Sequence, residues 1–236
     1  MIRFSTQAPS VRLLFLALSV GFAVGARAQT PSADEILRTA RLSPMSKQAS
    51  LRAQLVGDSG KTPFTISLDH GVVTYAFTNP DQQIQLVLSE NDSELRERRG
   101  GKTAEVKPAR YDEKVRGTPI TFEDLSLRFL YWPRPKLVGT DVIALQKAWK
   151  IEVQAPRGQS QYGAARLWID QNNGALLKIE GYDANGRPIK RLTVISGQKI
   201  NGQWMLKTMR VEPIDPASGK VIDSGRTYLK VLGDAG

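Results

Sequence analysis

The chain has 236 residues, 41% of them hydrophobic, with a formal charge of +10, no cysteine and a single histidine. This composition is that of a folded globular protein and excludes disorder, coiled coil and collagen. It also excludes disulfides, thiol catalysis, iron–sulfur ligation and cysteine-borne lipid anchors, and one imidazole is a poor basis for zinc hydrolase or Ser-His-Asp chemistry.

Residues 1–28 read as a secretory signal peptide. Arg3 and Arg12 form a positive leader, Leu13 to Val24 is an apolar run, and Ala26-Arg27-Ala28 is a small-residue cleavage site. The run holds about a dozen residues, short of the roughly 20 needed to span a bilayer. Cleavage after Ala28 removes three arginines and no acid, which takes the charge from +10 to +7. The expected product, residues 29–236, is a single domain outside the cytoplasm, in the periplasm or secreted, and no later segment is apolar enough to cross a membrane. Nucleic acid is therefore not an expected partner, and anionic headgroups or an acidic envelope polymer suit the positive charge better.

The first expected element is a short amphipathic helix. Ser32 and Glu35 have capping-box spacing ahead of Ile36, Leu37 and Ala40, and Pro44 stops the helix. From Lys47 the period changes to two. The clearest hairpin runs from Phe64 to Phe77: with His70-Gly71 as a two-residue turn, Leu68 faces Val73, Ile66 faces Tyr75 and Phe64 faces Phe77, so six apolar side chains share one face. Asn79-Pro80-Asp81 turns the chain into a third strand, where Ile84, Leu86 and Leu88 alternate with Gln83, Gln85 and Val87. Residues 89–116 are dominated by charge and read as an exposed strand pair or a mobile loop.

Thr121 caps a second expected helix, with Glu123 and Asp124 in its first turn, where acids complement the helix dipole, and an end at Trp132 before Pro133. Phe122, Leu125 and Phe129 recur on one side of it. The remainder is a meander, with strands around Trp149 to Val153, Arg166 to Asp170, Leu177 to Tyr182, Ile189 to Ser196 and Trp204 to Val211, punctuated by Asn173-Gly174, Asn185-Gly186 and Asn201-Gly202. About ten strands and two helices give a mainly β, α+β fold: one curved antiparallel sheet with the helices covering its apolar face.

No catalytic constellation stands out. His70 sits at a hairpin tip, beside only Asp69. The acids single out no carboxylate pair, and neither a phosphate-binding loop, a dinucleotide fingerprint nor a calcium loop is present, so no cofactor and no metal are expected.

Two stretches carry a family resemblance: Gly117-Thr118-Pro119-Ile120-Thr121-Phe122-Glu123-Asp124-Leu125, and the run from Tyr162 to Val211. Within the second come, in order, Leu167-Trp168-Ile169-Asp170, Gly174, Lys178-Ile179-Glu180, Tyr182-Asp183, Gly186, Gly202-Gln203-Trp204 and Met209. These words resemble the LolA-like and LolB-like superfamily, specifically the outer-membrane lipoprotein-sorting proteins. The resemblance implies an incomplete β-barrel lidded by helices, whose concave face shelters lipoprotein acyl chains in transit through the periplasm. Such binding is burial of hydrocarbon and needs no catalytic residue. The implied ligand-binding lining is Phe64, Ile66, Leu68, Val73, Tyr75, Phe77, Ile84, Leu86 and Leu88 from strands, with Phe122, Leu125, Phe129 and Trp132 from the lid. Lacking a cysteine after the signal peptide, the chain matches the soluble carrier and not a lipid-anchored receptor of the LolB type. The expected partners are lipoprotein or lipid acyl chains and, transiently, an envelope membrane protein. The alternatives are an envelope-stress regulator of the MucB and RseB type, or a polysaccharide-binding or hydrolytic envelope protein.

Overall fold

The computed structural model describes residues 30–235, and the expected signal peptide at residues 1–28 lies outside them. Ser32 opens helix α1 (Ala33–Leu42) with the anticipated capping box: its hydroxyl accepts from Glu35 N, and the Glu35 carboxylate accepts from Ser32 N at 2.7 Å. A 3-10 turn at Ser43–Ser46, containing Pro44, ends the helical segment.

The chain then meanders through β1 (Gln48–Gly57), β2 (Gly60–Asp69), β3 (Val72–Thr78), β4 (Asp81–Leu88), β5 (Ser93–Arg99) and β6 (Lys102–Glu105). A crossover, residues 106–135, includes the short helix α2 (Phe122–Ser126). A second meander follows in β7 (Lys136–Ile143), β8 (Gln146–Gln154), β9 (Ala164–Asp170), β10 (Leu176–Tyr182), β11 (Pro188–Ile200), β12 (Gln203–Pro213) and β13 (Thr227–Asp234). All thirteen strands form one antiparallel sheet in the order β6-β5-β4-β3-β2-β1-β13-β12-β11-β10-β9-β8-β7. Each meander contributes neighbouring hairpins, and the single seam between them is the pairing of β1 with β13, through Leu55↔Leu229 and Ala53↔Val231. The outer strands β6 and β7 do not pair with each other, so the sheet is an incomplete barrel, and the crossover runs from one edge to the other.

The central hairpin has the expected register, with Leu68↔Val73 and Ile66↔Tyr75 paired. His70 and Gly71 both have positive φ, 45° and 91°, the backbone of a type I′ turn. Phe64 and Phe77 stack with ring centroids 5.0 Å apart. The main core unites the inner face of the sheet with α1 and the crossover: Ile36 and Leu37, Leu51 and Leu55, Ile84 and Leu86, Phe122 and Phe129, and Ile151, Leu167 and Val211 belong to it.

Three features differ from the sequence reading. The sheet has thirteen strands and not about ten: β7, with Val138 and Val142 exposed, carries no buried stripe, and β13 alternates only briefly, with Thr227, Leu229 and Val231 buried and Leu232 exposed. Of the two readings of residues 89–116, the strand pair is the one that forms, turned by Gly100-Gly101. The segment is also less surface-like than its charge suggests, since Val106, Tyr111 and Val115 are core residues. Finally, the helix does not continue from Thr121 to Trp132. It stops at Ser126, because Leu127 adopts the left-handed conformation (φ 51°), and a separate 3-10 turn spans Arg128–Tyr131. The Ser126 hydroxyl stabilises this break by donating to Glu123 O at 2.8 Å and accepting from Arg128 N at 3.3 Å.

Candidate functional site

Between the sheet and the crossover lies an apolar cavity of about 250 Å³. The central hairpin supplies Ile66, Leu68, Val73 and Tyr75, and Leu88 closes the end of β4. Leu125 and Leu127 come from the crossover, while Pro44 and Lys47 come from the link between α1 and β1. The floor is built by rows that cross the sheet: Val194 of β11 pairs with Met209 of β12, which pairs with Leu229 of β13, and all three line the cavity. Leu176, Ile179, Leu192, Met205, Leu206 and Val231 extend that surface. Burial pushes the Tyr75 phenol up to about 12, so its hydroxyl stays neutral well into the alkaline range.

The thirteen side chains named from sequence divide into three groups. Ile66, Leu68, Val73, Tyr75, Leu88 and Leu125 line this cavity. Phe64 and Phe77, with Tyr75 and Leu125 again, border a much smaller void of about 10 Å³ beside Val115 and Ile120. Ile84, Leu86, Phe122, Phe129 and Trp132 are buried in the core and border neither space. The side chains of β10 to β13, together with Pro44, Lys47, Leu51, Asp124 and Leu127, are the part that sequence reading did not assign to the site. Period-two alternation was visible in β10, β11 and β12, but alternation alone does not say which parity faces inward.

One polar cluster touches the cavity wall, and it is made by the Glu-Asp-Leu word. Asp124 lines the cavity and closes the α2 capping box, accepting from Thr121 N at 2.8 Å. It also accepts from the Tyr162 hydroxyl at 2.6 Å and pairs with Lys190 Nζ at 2.8 Å. Its neighbour Glu123 is fully buried and accepts from Gln161 N at 2.9 Å, while its Oε1 has no hydrogen bond among the described residues. Burial raises the Glu123 carboxyl, and burial beside Asp124 raises the Tyr162 phenol well above its ordinary range. The two acids therefore bind the crossover to β11 and to the loop before β9, rather than merely facing a helix dipole.

The other recurring words are turn and packing devices. Arg116 and Gly117, both at positive φ, turn the chain ahead of α2, and the Arg116 guanidinium lies 4.8 Å from the Phe77 ring centre and donates to Asn79 O. In Trp168-Ile169-Asp170, Ile169 enters the main core. Trp168 takes the opposite face, packs with Ala148 and Leu177, and donates to Asp141 at 2.9 Å. Asp170 accepts from Asn172 N and Asn173 N in the following turn. Asp183 does the same for Asn185 N and Arg187 N. Gly181 has a packing role, because a Cβ there would lie 2.3 Å from the Tyr162 ring. His70 is exposed at its turn, with Nδ1 2.7 Å from Asp69 Oδ1.

Among the described residues no three His, Asp or Glu side chains are grouped to hold a metal ion, and no helix is long and apolar enough to cross a membrane. Comparison with solved structures identifies the fold. A domain described as an outer-membrane lipoprotein-sorting protein from Vibrio parahaemolyticus is 15% identical, with a TM-score of 0.63 over 85% of this chain and 91% of its own. A LolA superfamily protein from Nitrosomonas europaea is 16% identical, with a TM-score of 0.59 over 86% and 92%. A DUF1329 family protein from Desulfovibrio piger is 14% identical, with a TM-score of 0.57 over 86% and 92%. At these identities the likeness establishes the LolA-like fold. No curated protein sequence matches the chain. A family model described as an uncharacterized protein matches residues 100–224, more than half of the 236. The chain therefore belongs to that uncharacterized family, whose matched segment here runs from the end of β5 to just before β13 of a LolA-like sheet.

Proposed function

We propose that this protein is a non-enzymatic carrier that shelters acyl chains of a lipid or lipoprotein, working in the periplasm after removal of residues 1–28. The observation that carries this reading is the apolar cavity of about 250 Å³ between the sheet and its crossover. Dry apolar cavities of about 150 Å³ already accept a small hydrocarbon guest. Transfer of an acyl chain from water into such a space is favourable by roughly 25 cal/mol per Å² of apolar area, without any reacting group. The LolA-like fold supports the same reading, since two relatives of that fold are described by lipoprotein sorting or by LolA.

Native mass spectrometry with lipid extraction, on protein purified from its own envelope without detergent, tests the proposal. Co-purifying lipid or acylated protein near one per chain is the expected result. A clean apo mass that persists after incubation with lipids and lipopeptides refutes it.

A further inference from the structure

Besides the neutral Tyr75, three residues that can carry charge border the cavity, Asp124, Lys178 and Lys47. Two of them are already satisfied. Asp124 is held by Lys190 at 2.8 Å, the Tyr162 hydroxyl at 2.6 Å and Thr121 N. Lys178 borders the cavity but turns its ammonium to the opposite face of the sheet, where it pairs with Glu180 at 3.0 Å and lies 4.0 Å from the centre of the Trp168 ring.

Lys47 differs from both. It continues the inward-facing row of β1, in which Leu51, Ala53 and Leu55 are buried and Ala49 packs on the core. Strand parity therefore aims it at the same space as Leu51, beside Pro44, Leu68 and Leu88. Its backbone is fixed, with N donating to Pro44 O and O accepting from His70 N. Among the described residues its ammonium has neither an ion pair nor a side-chain hydrogen bond, and desolvation alone lowers its pKa. A partly buried cation with no counterion is unfavourable, and an anion from outside the chain relieves it.

We infer that the cavity takes an amphiphile with an anionic head, a carboxylate or a phosphate, whose acyl chain lies along the Val194, Met209 and Leu229 floor and whose head pairs with Lys47. This inference rests on the carrier reading and narrows its ligand class. Charge-assisted hydrogen bonds are worth more than neutral ones, so an anionic head binds about tenfold more tightly than a hydroxyl on the same tail.

The test titrates the purified chain with decanoate, decyl phosphate and decanol, using the wild type, Lys47→Met and Lys47→Arg. The expected result is a preference of about tenfold for the anions over decanol in the wild type and in Lys47→Arg. In Lys47→Met that preference is lost, read as the ratio of anion to decanol affinity within the same variant. The ratio of the two anions separates a carboxylate from a phosphate source. Equal binding of decanoate, decyl phosphate and decanol to the wild type, or a preference that survives Lys47→Met, overturns the inference while leaving the carrier reading standing. Failure of all three probes to bind the wild type overturns the carrier reading itself.

Discussion

The volume of the cavity sets a limit on chain length. A 150 Å³ apolar cavity accommodates a six-carbon ring, so by simple proportion 250 Å³ accommodates about ten carbons. Each buried methylene contributes about 0.8 kcal/mol, close to a fourfold change in affinity. Lengthening a straight-chain carboxylate from six to ten carbons therefore tightens binding by about 3 kcal/mol, more than two orders of magnitude. Beyond about ten carbons, further methylenes remain in water and the gain stops. Isothermal titration across even chain lengths from six to sixteen measures the slope and the break. Met209→Trp, placed in the centre of the floor between Val194 and Leu229, shortens the usable space and moves the break to fewer carbons. An affinity independent of chain length, or a slope that continues unbroken to sixteen carbons, refutes the assignment of this cavity as the acyl site.

Three further outcomes follow from the polar cluster behind the wall. Lys190→Met leaves the buried Asp124 carboxylate without its cation and is expected to cost about 3–5 kcal/mol, read by urea denaturation; a change under about 1 kcal/mol refutes the pairing. Burial raises the Glu123 carboxyl, so the folded chain holds that proton more tightly than the unfolded one. Its contribution to stability is full below the ordinary carboxylate range and is lost as pH rises through the folded pKa. Glu123→Gln therefore gains stability relative to wild type as pH rises above the ordinary carboxylate range, and a pH-independent difference in Tm contradicts this. Gly181→Ala forces a methyl group into the Tyr162 ring and is expected to lose about 1–3 kcal/mol, whereas a neutral result in the same denaturation assay argues against the close packing.

Local signals in the sequence revealed most of the scaffold. His70-Gly71 between two period-two runs specified the turn and the register of the central hairpin, and Ser32 with Glu35 specified the start of α1. The break at Leu127 was not legible, because a leucine in the left-handed region has no local signature. The environment of Glu123 and Asp124 was hidden for a different reason. Their partners Gln161, Tyr162 and Lys190 lie 38 to 66 residues away in the chain, so two acids that look solvent-facing in sequence are buried. The site was half visible: one meander displayed its inward face through a clean alternation of Phe, Ile and Leu. The other concealed its face in strands such as β10, where the register shifts between Leu176 and Lys178.

The seam between β1 and β13 makes the cavity a late event in the life of the chain. Within each meander every strand pairs with its immediate neighbour, so either half assembles from short-range contacts. The seam joins residues as far apart as Arg52 and Asp234, 182 positions in sequence, and it places Leu229 between Leu55 and Met209 on the floor. Without that seam the sheet is two separate ribbons, and the two walls of the cavity are not brought together. The eight residues of β13 act as the clasp: Leu229 and Val231 reach the cavity from one meander and Leu51 from the other, and only the pairing of β13 with β1 holds the two walls face to face.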